Sequence, residues 1–195
     1  RLDPLVRSCA RRVRRKLAEH YRAGGGRDPV WIEIPRGQYL PQPFHGQFAR
    51  LGPWLAAHED KLFDALGTHL VAFGEWCAAR HSLDYATLPD WWMLFDVYDR
   101  QEQRFWSTTR RNAWAAEMGF KTVPRLYAGE VTLDHLRDWV HAHDSQFRQG
   151  HLEGIVVRRE NADWLENRAK LVRADFTQTI EAHWKSRALE WNRVV

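Results

Sequence analysis

Three short apolar runs in this chain carry ionisable side chains at their ends or inside them. The first, Phe-Gly-Glu-Trp, contains Glu75. The second, Glu-Gly-Ile-Val-Val-Arg, begins at Glu153, and the third, Arg-Ala-Lys-Leu-Val-Arg, begins at Arg168 and contains Lys170. Such runs predict buried strands, and a charge is costly to bury unless a partner, metal or ligand compensates it. Two carboxylates with a cationic cluster suit a phosphate group and a divalent cation.

A fourth run, Leu-Phe-Asp-Val-Tyr-Asp at residues 94–99, lies between the first and second. His-Ser-Leu-Asp-Tyr and Leu-Pro-Asp-Trp-Trp precede it. In this order the four runs resemble motifs III, IIIa, IV and V of the ATP-dependent RNA ligases, a family of covalent nucleotidyltransferases. The resemblance covers about residues 46–192. One Glu-Gly-apolar string is common, but four such motifs in order are specific.

The resemblance implies an α+β adenylation domain whose antiparallel sheets enclose the nucleotide. It implies ATP-dependent joining of RNA 5′-phosphate and 3′-hydroxyl ends through adenylated intermediates. Glu75 would contact the ribose, Phe95 would stack on the adenine, and Glu153 would hold Mg²⁺ or Mn²⁺. Arg168 and Lys170 would neutralise the phosphates of ATP or AMP, with arginine at a position that is usually lysine in the family. For Glu75 and Glu153 the alternative is a structural ion pair, and for Phe95 it is an ordinary core position.

The Lys-x-Asp-Gly motif that supplies the family's nucleophile does not occur in this chain. None of its five lysines is followed by x-Asp-Gly, and only Lys16 and Lys61 precede Glu75. Both lie in amphipathic helical patterns, where an exposed charge is the ordinary interpretation. Transfer of AMP to the protein therefore lacks its expected acceptor, whereas sealing of an end that is already adenylated requires only positioning and charge stabilisation.

Residues 1–45 differ in charge from the rest of the chain. They hold ten Arg or Lys residues against four acidic ones, whereas the remainder holds 19 basic and 21 acidic residues. Residues 4–22 predict an amphipathic helix ended by three glycines, and 30–34 with 38–40 predict a hairpin. This pair resembles the recognition helix and wing of a winged-helix DNA-binding domain, in which Arg11, Arg14 and Arg15 would meet a phosphate backbone. The alternative is a solvated basic helix.

The rest of the pattern predicts a domain boundary between residues 45 and 46, followed by alternating helices and strands. Helices are expected over 47–66 with an early interruption at Gly52-Pro53, then over 107–118, 132–143 and 175–192. Strands are expected over 69–76, 90–100, 104–106, 124–127, 152–159 and 164–172. Two interpretations of the adenylation domain remain open at this point: one complete body, or a sheet left incomplete where a fusion or rearrangement replaced its first strands.

Composition excludes several classes of protein. No apolar run is long enough to cross a membrane, and the Arg-rich beginning lacks the hydrophobic region of a signal peptide. Cys9 and Cys77 lack metal-ligand spacing and predict neither a disulfide framework nor a zinc site. We expect a cytoplasmic protein that acts on RNA ends, and that reaches DNA if the basic segment binds it. The competing hypothesis is a nucleic-acid-binding or regulatory protein with an inert ligase-like body.

Overall fold

The computed structural model describes residues 4–23, 32–34, 42–43, 46–80, 83–174 and 190–195. The chain divides into two compact units, Arg1–His58 and Glu59–Val195. The described helices are α1 (Pro4–Arg22), α2 (Leu51–Leu66), α3 (Thr108–Met118) and α4 (Leu133–Ala142). The described strands are β1 (Ile32–Glu33), β2 (Gln42–Pro43), β3 (Leu70–Trp76), β4 (Trp92–Asp99), β5 (Arg104–Phe105), β6 (Gly154–Glu160) and β7 (Leu165–Val172).

The first unit is built on α1, which confirms the helix predicted over residues 4–22. Proline is well suited to its first position, where the missing N–H would have had no intrahelical partner. Strand β1 pairs antiparallel with β2. The Arg14 Nε donates to the Ile34 carbonyl at 2.6 Å, and the Ile32 N–H donates to the Tyr21 hydroxyl at 2.6 Å. These bonds attach the helix to the strand, while the predicted strand at 38–40 lies outside the described residues.

Helix α2 begins later than its sequence pattern predicts. A short 3-10 helix, Gly46–Phe48, precedes it, and Gly52-Pro53 does not interrupt it. Pro53 lies in the first turn of α2, where a missing N–H removes no helical hydrogen bond. As predicted, Gly67 ends the helix. Its left-handed φ of 54° is easily adopted by glycine, and its N–H donates to the Phe63 carbonyl at 3.0 Å.

The main sheet of the second unit is antiparallel, in the order β3-β4-β5. One face packs against α3 through a core cluster of Leu94, Val97, Trp106, Ala115 and Phe120. Helix α3 confirms the predicted segment. The Ser107 side chain caps its start by accepting from the Arg110 N–H, and Gly119 ends it at a φ of 69°. Capping satisfies donors that a helix leaves open at its first turn.

Among the described residues, a second sheet consists of β6 and β7, paired antiparallel. The strand predicted over residues 124–127 is wrong, since no strand forms there. Proline at 124 cannot donate to a ladder, and pairing stops at a parallel bridge between Leu94 and Thr122. Helix α4 confirms the prediction of a helix that Thr132 opens, because the Thr132 side chain accepts from the His135 N–H.

Four helices with small antiparallel sheets confirm the predicted α+β class. The helix predicted over 175–192 falls mainly outside the described residues. Its last part is wrong, because Trp191 forms an antiparallel bridge with Ala79 rather than helix. Within the described segments, no helix is both long and apolar enough to cross a membrane.

Candidate active site

Strand β3 presents Glu75 on the face of the main sheet that points away from α3. Leu70 and Ala72 pack against the core cluster, so by strand alternation Phe73 and Glu75 lie on the opposite face. Both are exposed, Phe73 by 40%. Between them Gly74 lies under Trp92, and a Cβ at this position would come within 2.2 Å of the indole nitrogen. Any larger residue at 74 would push the Trp92 ring from the core.

A β-bulge in β4 places a carboxylate beside these residues. Phe73 pairs with Asp96 and Gly74 pairs with Leu94, so Phe95 is the extra residue of the bulge. Because of this extra residue, Leu94 and Val97 both reach the core cluster although they are three positions apart. Asp96 then shares a face with Phe73. Arg111 holds the bulge from α3 by donating to the Phe95 carbonyl.

Asp96 joins the two sheets through an ion-pair network. Its side chain is 2% exposed and accepts from Arg158 of β6 at 2.5 Å and from Arg168 of β7. Arg158 also donates to Glu160 and, at 3.1 Å, to the Trp106 carbonyl. Burial opposes the charge of Arg158, but its hydrogen bonds to these two carboxylates raise its pKa. The network is therefore charged in the native protein and compensated by its own members.

Glu160 connects the same network to α3. Its carboxylate accepts from the Thr108 N–H and from the Thr108 hydroxyl, both at 2.9 Å. Burial works against its charge, yet the hydrogen bonds from Arg158 and Thr108 lower its pKa. Burial and the positive charge of Arg158 lower the pKa of Arg111 to about 10, so Arg111 also stays charged at neutral pH.

The two basic residues expected to neutralise phosphates differ in their surroundings. Arg168 contacts Asp96, and its guanidinium lies 4.8 Å from the centroid of the Phe105 ring. Its side chain remains 46% exposed. Lys170 pairs with Val156 in the β6–β7 ladder and is exposed. By strand alternation Lys170 shares the face that carries Arg158 and Arg168, so it lies on the side from which β6 and β7 reach Asp96.

The negative charges of Glu75 and Glu153 both raise the pKa values of the same two side chains, Cys77 and Tyr85. Burial raises the pKa of Cys77 to about 12, and the charges of Glu75 and Glu153 contribute. Burial likewise raises the pKa of Tyr85 to about 12, followed by Glu153 and, more weakly, Glu75. The two carboxylates thus share one neighbourhood, although Glu75 belongs to β3 and Glu153 immediately precedes β6. Cys77 remains a protonated thiol there, and Tyr85 remains a phenol that can donate a hydrogen bond.

Residues 190–195 complete this neighbourhood, and the sequence pattern did not predict their role. They lie along residues 77–80 and 85–88, with bridges from Trp191 to Ala79 and from Val194 to Leu88. Asn192, which is 5% exposed, donates to the Cys77 carbonyl and accepts from the Tyr85 N–H, both at 2.8 Å. No local sequence signal marked this role, because the partners of Asn192 lie more than a hundred residues earlier in the chain.

The described residues were also compared with the needs of a metal ion. Among the described residues, no group of three or more His, Cys, Asp or Glu side chains could hold a metal ion. Mg²⁺ is commonly held by one or two carboxylates together with phosphate oxygens and water, so Glu75 and Glu153 fit an ion that a bound phosphate helps to coordinate. His81 lies outside the described residues.

On the basic helix α1, Arg11 and Arg15 are exposed and Arg14 is half-buried. Arg15 lies 3.8 Å from Glu19, one turn further along the helix. The Arg14 side chain donates a hydrogen bond to the Ile34 carbonyl. Of the three residues predicted to meet nucleic acid, Arg11 and Arg15 therefore face solvent and Arg14 also attaches the helix to β1.

Comparison with known proteins agrees with the α+β fold. The family model described as RNA ligase matches residues 31–172, which is most of the chain. The chain belongs to the RNA ligase family. Searches of curated proteins and of solved structures found no match. The family match begins upstream of the predicted boundary at residue 46, so it includes the described strands β1 and β2.

Proposed function

We propose that this RNA ligase family member joins RNA ends that already carry a 5′-adenylate. The observation that carries the proposal is that Asp96, through its ion pairs with Arg158 and Arg168, joins the face of the main sheet that presents Glu75 to the face of β6–β7 that presents Lys170. Glu75 of β3 and Glu153, which immediately precedes β6, suit the chemistry of an adenylated phosphate together with the exposed Lys170 on the Asp96-facing side of β6–β7. The carboxylates suit ribose hydroxyls and a divalent cation, and the lysine suits the phosphate.

Sealing requires little covalent chemistry from the protein. The 3′-hydroxyl oxygen attacks the phosphorus of the adenylated 5′ end, a new P–O bond forms, and the bond to AMP breaks with its electron pair leaving on AMP. The hydroxyl proton passes to solvent. Lys170 would stabilise the charge that develops on the phosphate and on the departing AMP. Glu153 would hold a divalent cation, which supplies further charge neutralisation when bound, and Glu75 would accept from the ribose hydroxyls.

Arg168 has a different part in this proposal from that of Lys170. Because Asp96 and the Phe105 ring already engage its guanidinium, most of its contribution is to orient β7 and thereby Lys170. Its exposed part can still reach a phosphate oxygen, since a guanidinium has five donors in a fixed fork. We therefore expect Arg168→Lys to reduce both stability and sealing, because the fork is lost.

The missing nucleophile is the reason to propose sealing rather than the full reaction. Within the residues that match the family, Lys61 is the one lysine that precedes Glu75. Its ammonium lies 5.6 Å from the centroid of the Phe120 ring, and Phe120 belongs to the core cluster on the α3 side of the main sheet. Glu75 lies on the other side. This placement argues against Lys61 as the residue that accepts AMP.

The test is joining of a chemically pre-adenylated RNA to an RNA 3′-hydroxyl in Mg²⁺ without ATP. We expect joined product from the wild type and a loss of about a hundredfold or more in Lys170→Ala, because a positioned cation contributes several kcal/mol to a phosphoryl transition state. Lys121→Ala, which changes an exposed lysine outside the proposed site, is the matched control. Absence of product with the wild type would reject the proposal.

Intact mass after incubation with ATP and Mg²⁺ tests the other half of the proposal. We expect no gain of an AMP mass, because no lysine has the family's motif. A gain would show that another lysine serves as nucleophile, and peptide mapping would identify it as Lys16, Lys61 or another residue. In that case the chain would carry out the complete reaction.

A second function, nucleic-acid binding by α1, is favoured by the exposed arginines of a helix attached to a β-strand pair. Phosphate contacts release counterions, so affinity for duplex DNA should fall steeply with salt. Replacing Arg11 and Arg15 with alanine should flatten that dependence by about two units of slope. Arg137→Ala on α4 is the control, and an unchanged slope in the α1 variant would remove this function.

A further inference from the structure

Two arginines contact one tryptophan ring at the β5 end of the main sheet. The Arg110 guanidinium lies 4.6 Å from the centroid of the Trp164 ring, and the Arg104 guanidinium lies 5.1 Å from it. Arg110 also lies 4.2 Å from the centroid of the Trp106 ring, which belongs to the core cluster. Cation–π attraction of this kind holds a guanidinium over a ring face. We call Arg104, Arg110 and Trp164 the Arg–Trp cluster.

No carboxylate of the described residues forms an ion pair with either arginine of this cluster. Other arginines of the same unit do have such partners, since Arg137 pairs with Asp134 and Arg159 pairs with Glu166, both at 3.1 Å. A guanidinium that stacks on a ring keeps its five N–H donors in its own plane, where a phosphate can accept two of them. The exposed arginine of the cluster and its half-buried neighbour are both reached by solvent.

A third arginine lies beside the same part of α3. Arg125 is exposed, and its guanidinium donates to the Thr109 hydroxyl at 3.4 Å. Thr109 precedes Arg110 in the first turn of the helix. Glu160, the carboxylate at the start of α3, is already compensated by Arg158. The surface around this turn therefore carries excess positive charge, which attracts anionic ligands.

The Arg–Trp cluster begins where the face of the main sheet that carries Glu75 ends. Arg104 and Phe105 are consecutive residues of β5, so their side chains point to opposite faces of the sheet. The Phe105 ring meets Phe73 at 5.8 Å, which places Phe105 on the face of Glu75. Arg104 lies on the α3 face, like Trp106 of the core cluster. Among the described strands β5 is the last in the order β3-β4-β5. An RNA strand whose end lies beside Glu75 can therefore reach the cluster by passing over the β5 edge.

We propose that the Arg–Trp cluster binds the phosphate backbone of the single-stranded RNA that extends from the reacting end. Each guanidinium would donate to the oxygens of one phosphate, and neighbouring phosphates can be contacted together because both guanidiniums lie at one ring. Arg125 would extend this contact along the first turn of α3. The cluster would select no base, since phosphate contacts carry no sequence information. This inference requires that RNA is the substrate, and it does not require that the chain seals adenylated ends.

The dependence of RNA affinity on salt tests the proposal. A fluorescent single-stranded oligouridylate with a 5′-hydroxyl, which cannot be joined at that end, is titrated with the protein at several NaCl concentrations. Each neutralised phosphate of a single strand contributes about 0.7 to the slope of log affinity against log salt. We expect Arg104→Ala to reduce the slope by about 0.7, and Arg104→Ala combined with Arg110→Ala to reduce it by about 1.4. The same reductions should be seen when Arg11 and Arg15 are also replaced by alanine, because the contribution of α1 is then removed.

Two further variants separate phosphate contact from packing. Arg137→Ala removes one exposed charge on α4, so its slope should match that of the wild type. Arg104→Lys keeps the charge but loses the planar stack, so it should retain most of the slope while lowering affinity at a fixed salt concentration. An unchanged slope in Arg104→Ala would overturn the proposal and would mean that the cluster only packs. Because Arg104 is exposed, this outcome does not depend on whether the Arg110 variant folds.

Two comparisons identify the partner. A glutamate-rich peptide of matched charge should bind much more weakly than the RNA. Equal affinity for the peptide, with the same loss of slope in Arg104→Ala, would assign the cluster to acidic partners in general and overturn its assignment to RNA. If the wild type joins pre-adenylated RNA while Arg104→Ala keeps the wild-type slope, the cluster proposal fails and sealing stands. If the slopes change as expected and nothing is joined, sealing fails and the cluster proposal stands.

Discussion

The two faces of the β3-β4-β5 sheet have opposite character although the same strands form them. The core face, defined by Leu94, Val97 and the residues that pack with them, is apolar and closed. The charged face, defined by Phe73, Glu75, Asp96 and Tyr98, holds exposed side chains beside a carboxylate that is buried only because two arginines reach it. Apolar packing therefore stabilises the core face and compensated ion pairs stabilise the charged face, whereas the proposed ligand chemistry depends on the charged face alone.

The bulge at Phe95 is what allows β4 to serve both faces. Strict alternation would put Leu94 and Val97 on opposite sides of the sheet, since they are three residues apart. The extra residue restores Val97 to the core and leaves Asp96 on the charged face. A local irregularity therefore combines a continuous core with a buried carboxylate in one strand.

Asp96→Ala should produce the largest loss of stability, because it removes the buried carboxylate that pairs with Arg158 and Arg168 on the charged face. Arg158, whose side chain is 13% exposed, would lose a partner that it cannot replace with water. Removing one member of a buried ion pair costs about 3–5 kcal/mol, which urea unfolding should detect. Asp134→Ala, which breaks an exposed ion pair on α4, should cost about 1 kcal/mol or less. Equal effects would mean that the Asp96 network is solvated.

Leu94→Ala tests the core face and should have the next largest effect. Leu94 is 0% exposed and packs in the core cluster. Truncating a buried leucine costs about 2–5 kcal/mol, depending on how far the cavity collapses. Affinity for adenylated RNA, measured well below the new melting temperature, should stay near the wild-type value. A matched loss of affinity would show that the two faces are coupled more closely than this comparison states.

The fold could be predicted largely from local patterns. Helices α1, α3 and α4 follow from amphipathic spacing and from caps at Ser107 and Thr132, because these signals are contained within a few residues. The strand predicted at 124–127 failed because its apolar residues were weighed without the missing N–H of Pro124. The bulge at Phe95 was also missed, since it depends on which residues of β3 lie opposite.

The candidate site was predictable only in part, because it depends on long-range pairing. The motifs indicated Glu75, Glu153 and Lys170, but no local pattern shows that Arg168 is engaged by Asp96. Asn192 was assigned to a helix because its neighbours fit a 3.6-residue period. Its actual role requires a backbone pairing with residues more than a hundred positions earlier in the chain. Polar side chains that bridge distant segments leave little trace in a single sequence.

A smaller effect is expected from the pH dependence of stability, which tests the charged network at Glu160. Its folded pKa lies below its unfolded value near 4.3, so its contribution is complete above that pH and is lost as the pH falls through the folded pKa. Glu160→Gln should flatten the fall in the urea midpoint as the pH drops below about 4.3. Thr108→Val should act in the same direction because it removes one hydrogen bond to this carboxylate.

The neighbouring threonine provides the control for that experiment. The Thr109 hydroxyl lies 3.4 Å from Arg125 rather than beside Glu160, so Thr109→Val should leave the acid slope as in the wild type. A steeper slope in Thr108→Val, or equal slopes in both variants, would contradict the assignment of Thr108 to the Glu160 carboxylate.

The smallest effect on stability, with a clear effect on binding, is expected from Phe73→Ala. The ring is 40% exposed on the charged face, two residues from Glu75, and meets Phe105 at 5.8 Å. Its removal should change the free energy of unfolding by about 1 kcal/mol or less. If a base stacks on this face, affinity for adenylated RNA should drop about tenfold, because base–aromatic stacking contributes about 1–3 kcal/mol. Phe63→Ala, at a ring that is 70% exposed on α2, is the control.

Comparing Phe73→Ala with Phe95→Ala decides which ring supports the adenine. Family resemblance favours Phe95, but in this chain Phe95 is the extra residue of the bulge and is only partly exposed. Loss of affinity in Phe95→Ala alone would support the family assignment and limit Phe73 to packing against Phe105. Loss in both would mean that the bulge presents two rings to one base. Wild-type affinity in both variants would show that adenine does not bind on the charged face. The charged residues of that face would then have only a structural role.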